Sequence, residues 1–410
     1  MNRYITLIIV ILTCGTLGFA QTPDDYFKVA AENNPGLQAR YKEYLAAMEK
    51  IPQVSTLPDP ELSFGYFIAP VETRVGPQQA KFSLTQMFPW FGSLKAQEDA
   101  AALKAEAKFQ LFIDARNKLY FRVASAYYPL YKLKEWIRIE QENIAILKSY
   151  KTIATQKFKS GTGTMVDVLR VDMMLNESQT NLSILNQKEK PLVTTFNKLL
   201  NRAEDETVAI PDSLAYHPLS DNFRKDSLIA TNPKLKALEL RLAAGKSEEL
   251  AAEKQGLPSI GVGLDYVMVG ERSNYTPADN GTDALMAMVS LRIPIFRNKY
   301  KASVNEARLM QESYNYQKDQ LANELFSDYE AVWFEIKQQE KLLQLYEKQI
   351  QTSQKSLELL YASYGNSGKG FEEVLRMQQQ LLKYQKLKAE ALTQYTVSVA
   401  KINYVTSKIY

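Results

Sequence analysis

The chain repeats one pattern twice, and this repeat limits the folds open to it more than any other feature. Residues 156–170 read QKFKSGTGTMVDVLR and residues 362–376 read ASYGNSGKGFEEVLR, which aligns an aromatic side chain, a Gly-rich turn and a Val-Leu-Arg sequence. Two more matched pairs lie upstream in the same order: LTQMFPWFG at 84–92 with VSLRIPIFR at 289–297, and NPGL at 34–37 with NPKL at 232–235. Matched segments about 200 residues apart indicate that each half folds as a copy of one supersecondary unit.

The first twenty residues have the features of a secretory signal peptide. Arg3 precedes the apolar run 5–12, and Gly18-Phe19-Ala20 precedes the predicted cleavage before Gln21. The run is too short to span a bilayer. The single cysteine, Cys14, lies inside this segment, so the predicted mature chain has neither disulfides nor cysteine ligands. Lipid attachment at Cys14 is the alternative to its removal.

Composition excludes some classes of function. The formal net charge of +4 is small for 410 residues and is spread along the chain, which argues against a nucleic acid partner. His217 is the only histidine, so no histidine-based triad or metal cluster can form. We find no catalytic motif and predict no enzymatic activity, cofactor or resident metal. The 24 Tyr and 17 Phe fit a membrane-interface protein, although core packing explains many of them equally well.

Each half also contains two runs in which apolar residues alternate with small or polar ones. This period of two predicts a strand at 61–69, a loop at 70–78 and a second strand ending near Phe88, and the second half repeats the plan. The apolar positions, which we predict to face lipid, are Leu62, Phe64, Tyr66, Ile68, Ile260, Val262, Leu264, Tyr266, Leu291 and Ile293.

Strands of about ten residues with one apolar face are typical of transmembrane β-barrels. Four strands cannot close a barrel around anything. Either the four strands pack on a soluble core, or several chains combine their strands, and three chains would give twelve.

The rest of the chain predicts long helices. The predicted ranges are 23–56 with a break at Asn34-Pro35, 93–160, 165–200, 222–255 and 298–364. One stripe in the last long helix steps alternately by four and three residues, which predicts supercoiled helix packing. Its positions are Leu325, Tyr329, Val332, Ile336, Gln339, Leu343, Tyr346, Ile350, Ser353, Leu357, Leu360 and Tyr364. The predicted organisation is a signal peptide at 1–20, a first repeat at 21–210, a linker at 211–221 and a second repeat at 222–410.

Together, the repeat of strand pair and long hairpin, the strand-to-helix junctions and the hairpin turns resemble the TolC-like outer membrane factors, which form the outer membrane efflux protein family. The resemblance covers essentially the whole predicted mature chain. It implies a mainly α fold with a transmembrane β-barrel contribution. Three protomers would form a twelve-stranded barrel in the outer membrane, and their long helical hairpins would form a periplasmic α-barrel.

The resemblance also implies a function. Such proteins are passive exit ducts of tripartite efflux systems, and they work with a periplasmic adaptor and an inner-membrane RND-type or ABC pump. Residues 57–60, 72–77 and 86–92 are most similar to the branch that serves heavy-metal exporters. Type I protein secretion through the same kind of duct is an alternative. A second alternative is a soluble periplasmic coiled-coil scaffold or adaptor whose strands form a small capping sheet.

Within this family the hairpin turns close the duct. Residue by residue, Asp167 resembles the acidic gate residue, while Tyr364 and Lys369 resemble the tyrosine and the basic residue that bond to it. Glu373 would supply an acidic ring, and Arg376 stands where relatives can carry a second acid. Carboxylates also favour the first turn of a helix through its dipole, which would explain Asp167 and Glu373 without any gating role.

Overall fold

The structure is a computed structural model, and it describes residues 23–274, 277–367 and 370–408. The predicted signal peptide with Cys14 and the gate candidate Lys369 lie outside the described residues. The helices are α1 Pro23–Asn33, α2 Pro35–Met48, α3 Lys50–Ser55, α4 Ser93–Lys159, α5 Met165–Leu199, α6 Pro233–Gln255, α7 Asn298–Ser367 and α8 Phe371–Val405, with a short 3₁₀ helix at Lys225–Ser227. The strands are β1 Glu61–Thr73, β2 Gly76–Phe88, β3 Ser259–Val269 and β4 Ala284–Arg292.

The chain divides into two compact units. The hairpin unit contains the described residues up to Gln38 together with 115–232 and 325–408, and the sheet unit contains 39–114 and 233–324. Each unit therefore draws residues from both sequence repeats, so the compact units and the repeats divide the chain differently. The repeat boundaries stay a prediction.

The sheet unit contains one antiparallel sheet with the strand order β1-β2-β3-β4. Its register places Phe64 opposite Phe82, and Leu84 opposite Leu264. Because side chains alternate along a strand, this register places apolar side chains from all four strands on one face. Ile293 was predicted as a strand position, but it lies one residue beyond β4, where the following Pro294 has no amide hydrogen for a ladder bond.

The predicted loop at 70–78 is wrong. β1 continues to Thr73, and β2 begins at Gly76 after a turn at Arg74-Val75. The pairing register shifts between Tyr66 and Val71. Pro70 lies within this shift on an edge strand, which is where a strand tolerates a residue without an amide hydrogen. The sequence predicted a loop from Pro70 onward because a proline indicates the end of a strand more strongly than it indicates a bulge within one.

The predicted start of the fourth helix range, 222–255, is also wrong, because α6 begins only at Pro233. Asn222 and Arg224 have left-handed backbones with φ of 57° and 51°, which a right-handed helix cannot contain. Pro233 then takes the first helical position, where its fixed φ is favourable. The predicted break at Asn34 is confirmed, and Asn34 Oδ1 accepts a hydrogen bond from the amide of Leu37 at 3.1 Å.

The long helices α4 and α7 contain 67 and 70 residues. At 1.5 Å per residue each is about 100 Å long. Every position of the predicted stripe in α7 is buried or half-buried, as supercoiled packing requires. Within the described residues, no helix is both long and apolar enough to cross a membrane.

Candidate functional site

The first hairpin turn, residues 160–164, is organised by the end of α4. The carbonyl oxygen of Lys157 accepts hydrogen bonds from the amides of Thr162 and Gly163 at 2.9 and 3.0 Å. Gly161 has a φ of 71°, a left-handed conformation that glycine adopts without strain. The orphan carbonyls at the end of α4 are thereby satisfied, and the chain reverses within five residues.

Thr164 and Asp167 start α5 as a capping box. The Thr164 hydroxyl accepts a hydrogen bond from the Asp167 amide at 3.2 Å, and the Asp167 carboxylate accepts from the Thr164 amide at 3.3 Å and from its hydroxyl at 2.8 Å. Such reciprocal bonds satisfy two amides at the start of the helix. The helix-terminal role considered for Asp167 is therefore present in the structure.

The two hairpin turns are held together by an apolar cluster, here called the tip cluster. Its buried side chains come from the last turns of α4 and α7 and the first turns of α5 and α8, and they are Ile144, Leu147, Tyr150, Ala154, Val168, Val171, Leu175, Tyr364, Phe371, Val374 and Leu375. Such burial is the main favourable term in packing the two hairpins against each other.

Tyr364 lies at the centre of the tip cluster. Its ring stacks on Phe371 with centroids 4.5 Å apart, and the ammonium of Lys157 lies 4.9 Å from the ring centroid. Among the described residues, its hydroxyl has no hydrogen-bond partner. Burial, followed by the negative charge of Asp167, raises the pKa of Tyr364 above its usual value. The structure thus brings Tyr364 and Asp167 into one neighbourhood while the Asp167 carboxylate bonds within its own cap.

Lys157 joins the two hairpins, a contact that the sequence interpretation missed. Its Nζ donates to the carbonyl oxygen of Gly365 at 3.3 Å, in the last turn of α7. A cation at a helix C-terminus interacts favourably with the helix dipole, and a cation over an aromatic face adds to this. The signal available in the sequence was a lysine in the last turn of a helix. Its partner could not be identified without the packing of the second hairpin.

Charged pairs surround the tip cluster. Arg170 on α5 lies 2.9 Å from Glu372 on α8, which is a second missed link between the hairpins. The two remaining gate candidates pair with each other, because Arg376 Nη2 lies 3.4 Å from Glu373 Oε1. Glu373 is therefore partly neutralised within its own helix. Both pairs are exposed, and exposed pairs contribute little to stability.

The predicted lipid-facing positions, apart from Ile293 beyond the end of β4, lie on the exposed face of the sheet. Leu62 is 70% exposed and Ile68 is 94% exposed, and Phe64, Tyr66, Val262 and Leu264 are exposed as well. The opposite face of β3 is buried, and it consists of Gly261, Gly263 and Asp265 followed by Val267 and Val269. A large exposed apolar face is unusual for a protein surrounded by water and marks a contact with lipid or protein.

Comparison with known proteins is consistent with this architecture. Residues 226–406 match a family described as outer membrane efflux protein. The chain is similar to the toxin and drug export protein A of Aggregatibacter actinomycetemcomitans, with 25% identity over 237 residues, 56% of this chain and 50% of that protein. The chain spans about half the length of the curated relatives it matches.

Solved structures extend the similarity to the fold. The channel protein CusC superposes with a TM-score of 0.77 at 15% identity, over 94% of this chain and 91% of that one. The outer membrane protein VceC of Vibrio cholerae superposes with a TM-score of 0.75 at 14% identity, over 94% of this chain and 95% of that one. The predicted fold class, mainly helical with four strands per protomer, is confirmed.

Proposed function

We propose that this chain, a TolC-like member of the outer membrane efflux protein family, forms the passive exit duct of a tripartite export system. The observation that carries the proposal is the exposed apolar face of a four-stranded sheet in a chain with two very long helical hairpins. Four strands cannot enclose a pore. Three protomers supply twelve strands, and their hairpins line a tunnel about 100 Å long.

The proposed location is the outer membrane, with the helical part in the periplasm. A passive duct has no energy source of its own, so the proposal includes a periplasmic adaptor and an inner-membrane pump of the RND or ABC type as partners. The soluble scaffold is the less favoured candidate because it leaves the apolar strand face in water, where each exposed aliphatic side chain forgoes about 1.5–3 kcal/mol of burial free energy.

The proposed cargo is heavy-metal cations, on the basis of the sequence of residues 57–60, 72–77 and 86–92. Drugs and secreted polypeptides are the alternatives. Growth of a deletion strain on copper, silver, cobalt, zinc or cadmium, with and without the gene restored, tests this choice. Equal sensitivity of the two strains to all five metals, together with a difference for a drug or a secreted protein, would reject metal cargo.

The proposed gate consists of the tip cluster and the polar gate candidates, which are Asp167, Lys369, Glu373 and Arg376. In the closed state Asp167, Tyr364 and Lys369 hold the hairpin turns together, and Glu373 with Arg376 lines the constriction. The proximity of Tyr364 and Asp167, and the link from Lys157, support this proposal. Each contact is weak in isolation, so binding of an adaptor could open the gate without large forces.

Replacing Asp167 and Lys369 together with Ala should increase the leak of ions through the duct. The expected result is a larger resting conductance of the purified trimer in planar bilayers, because polar links at the constriction are removed. The single variant Asp167→Asn, which keeps a helix-capping side chain, controls for loss of the cap. A double variant that conducts like the unmodified trimer would remove these residues from the gate.

The first experiment is membrane fractionation followed by the mass of the detergent-extracted particle. A particle of three protomers from the outer membrane supports the duct. A monomer or dimer that stays in solution without detergent contradicts it, and the gate proposal would fall as well.

A further inference from the structure

We propose that the sheet unit binds a phospholipid headgroup in a groove at the strand-to-helix junctions, here called the junction groove. The groove has a volume of about 690 Å³ and lies where β2 and β4 end and where α4 and α7 begin. This inference relies on the membrane location proposed above. It adds a ligand site that neither the duct function nor the gate requires.

The groove is cationic. Lys254, Arg292 and Lys299 line it, and none of the described lining residues is Asp or Glu. The nearest acidic residues of α4 lie in its second turn and are already paired, since Lys95 lies 3.5 Å from Glu98 and 3.0 Å from Asp99. Three cations in one concave surface, without a carboxylate lining it, favour an anionic ligand.

The two helix starts strengthen this preference. Neither α4 nor α7 has an acidic residue in its first turn, although acids are stabilising there. The amides at a helix start bind anions such as phosphate well. No carboxylate in the first turn of either helix is therefore present to occupy the position that an anionic ligand would take at the helix start.

An unpartnered buried hydroxyl gives an independent indication of a ligand. Ser93, the first residue of α4, lines the groove and is 2% exposed. Its Oγ has no hydrogen-bond partner among the described residues. A buried hydroxyl without a partner is costly, so a ligand oxygen or a water molecule is expected opposite it. A phosphate oxygen would satisfy the hydroxyl and the cations together.

Apolar side chains beside the cations select a lipid over a free anion. Phe91 and Phe296 occupy equivalent positions of the two repeats and are 78% and 79% exposed. Trp90 and Ile295 line the groove and are exposed as well. The apolar face of the sheet ends at this same level, because β3 begins at Ser259. Aromatic and cationic side chains at the end of an apolar band are typical of the lipid headgroup layer.

The test uses the full-length, detergent-extracted particle and native mass spectrometry. Phosphatidylglycerol is the probe, and a diacylglycerol with the same chains but no phosphate is the matched lipid. The variant Arg292→Gln/Lys299→Gln removes two groove cations. The variant Arg297→Gln/Lys301→Gln removes the same charge from the same segment outside the groove. Lys299→Gln alone, at an exposed helix start, provides a second variant that does not depend on β4.

We expect the unmodified particle to retain phosphatidylglycerol and not the diacylglycerol. The groove variant should bind phosphatidylglycerol at least about tenfold more weakly than the unmodified particle does, because charge-assisted hydrogen bonds to the headgroup are lost. The outside variant should bind like the unmodified protein.

Three results of the binding measurements would overturn the proposal. They are equal retention of the two lipids, equal loss in the groove and outside variants, and complete displacement by millimolar inorganic phosphate, which would identify a general anion site. Cross-linking of Lys299 to a second protomer would also overturn it, because the groove would then be a subunit contact. If fractionation places the protein in the membrane but the lipid measurements give any of these results, the lipid site is rejected and the proposed duct function is not.

Discussion

At the scale of single residues, Lys157 has two roles that belong to different parts of the hairpin tips. Its backbone carbonyl closes the first turn, and its side chain reaches Tyr364 and Gly365 of the second hairpin. The backbone role would survive almost any substitution, whereas the side-chain role needs a cation. Lys157 can therefore be tested without dismantling the turn.

Replacing Lys157 with Met should favour the open duct. The contact of a cation with an aromatic face contributes about 0.5–1 kcal/mol, and three protomers lose it together. The population of open trimers should rise about tenfold or more, measured as resting conductance in planar bilayers. Lys157→Arg should restore closure, and Lys159→Met, at an exposed lysine two residues on, should have no effect. A Lys157→Met trimer that is as tightly closed as the unmodified one would rule out the link.

Alkaline pH should loosen the hairpin tips through Tyr150. Burial, with a contribution from nearby Tyr361, raises the pKa of Tyr150 to about 12. Since the folded pKa exceeds the unfolded value of about 10, the folded state holds the proton more tightly. Protonated Tyr150 therefore contributes its full share to the free energy of unfolding below pH 10, and this contribution is lost as the pH rises toward 12. At pH 11 the free energy of unfolding should have fallen by about 1 kcal/mol. Hydrogen exchange of the α4 and α7 ends should accelerate over this range, and less in Tyr150→Phe. Identical pH profiles for the two proteins would contradict this cause.

At the scale of elements, the hairpin of β1 and β2 depends on one glycine. Gly76 has a φ of 133°, and a Cβ there would lie 1.9 Å from the carbonyl oxygen of Gly270. Neither the conformation nor the space suits another residue. Gly65 in the same hairpin has no atom within 4 Å of the position that a Cβ would occupy, so a side chain would fit there. The two glycines form a matched pair.

Gly76→Ala should destabilise the sheet by about 1–3 kcal/mol, because it adds backbone strain and a clash with a neighbouring carbonyl. Gly65→Ala should be neutral or slightly stabilising, because alanine reduces the conformational freedom of the unfolded strand. The temperature at which the detergent-extracted particle dissociates measures both. Equal dissociation temperatures for the two variants would show that the turn tolerates a side chain.

At the scale of the whole molecule, the exposed face of the sheet separates a membrane duct from a soluble scaffold. A barrel in lipid requires its outer face to be apolar, whereas a capping sheet tolerates charge on any surface that faces water. The aromatic ring pair Phe64 and Phe82, with centroids 5.0 Å apart, lies on this face.

Phe64→Lys should reduce recovery from the outer membrane, since a lysine facing the middle of the bilayer costs about 2–4 kcal/mol. Ser63→Lys places the same charge one residue away on the opposite face of β1 and should be tolerated. Fractionation and the yield of extracted trimer measure the difference. Normal insertion of Phe64→Lys would show that this face does not contact lipid.

The sequence by itself determined the repeated pattern, the strand pairs, the long helices and the family resemblance, because each depends on periodicity and on residues close together in the chain. The alternation at Leu62 to Ile68 and the 3.5-residue stripe of α7 are such local signals. Only the tertiary structure decided the link from Lys157 to Gly365, the position of Asp167 beside Tyr364, and the cationic groove around Ser93. These features join residues from segments up to about 200 positions apart. Their contacts depend on how the hairpins and strands pack, which no local pattern records.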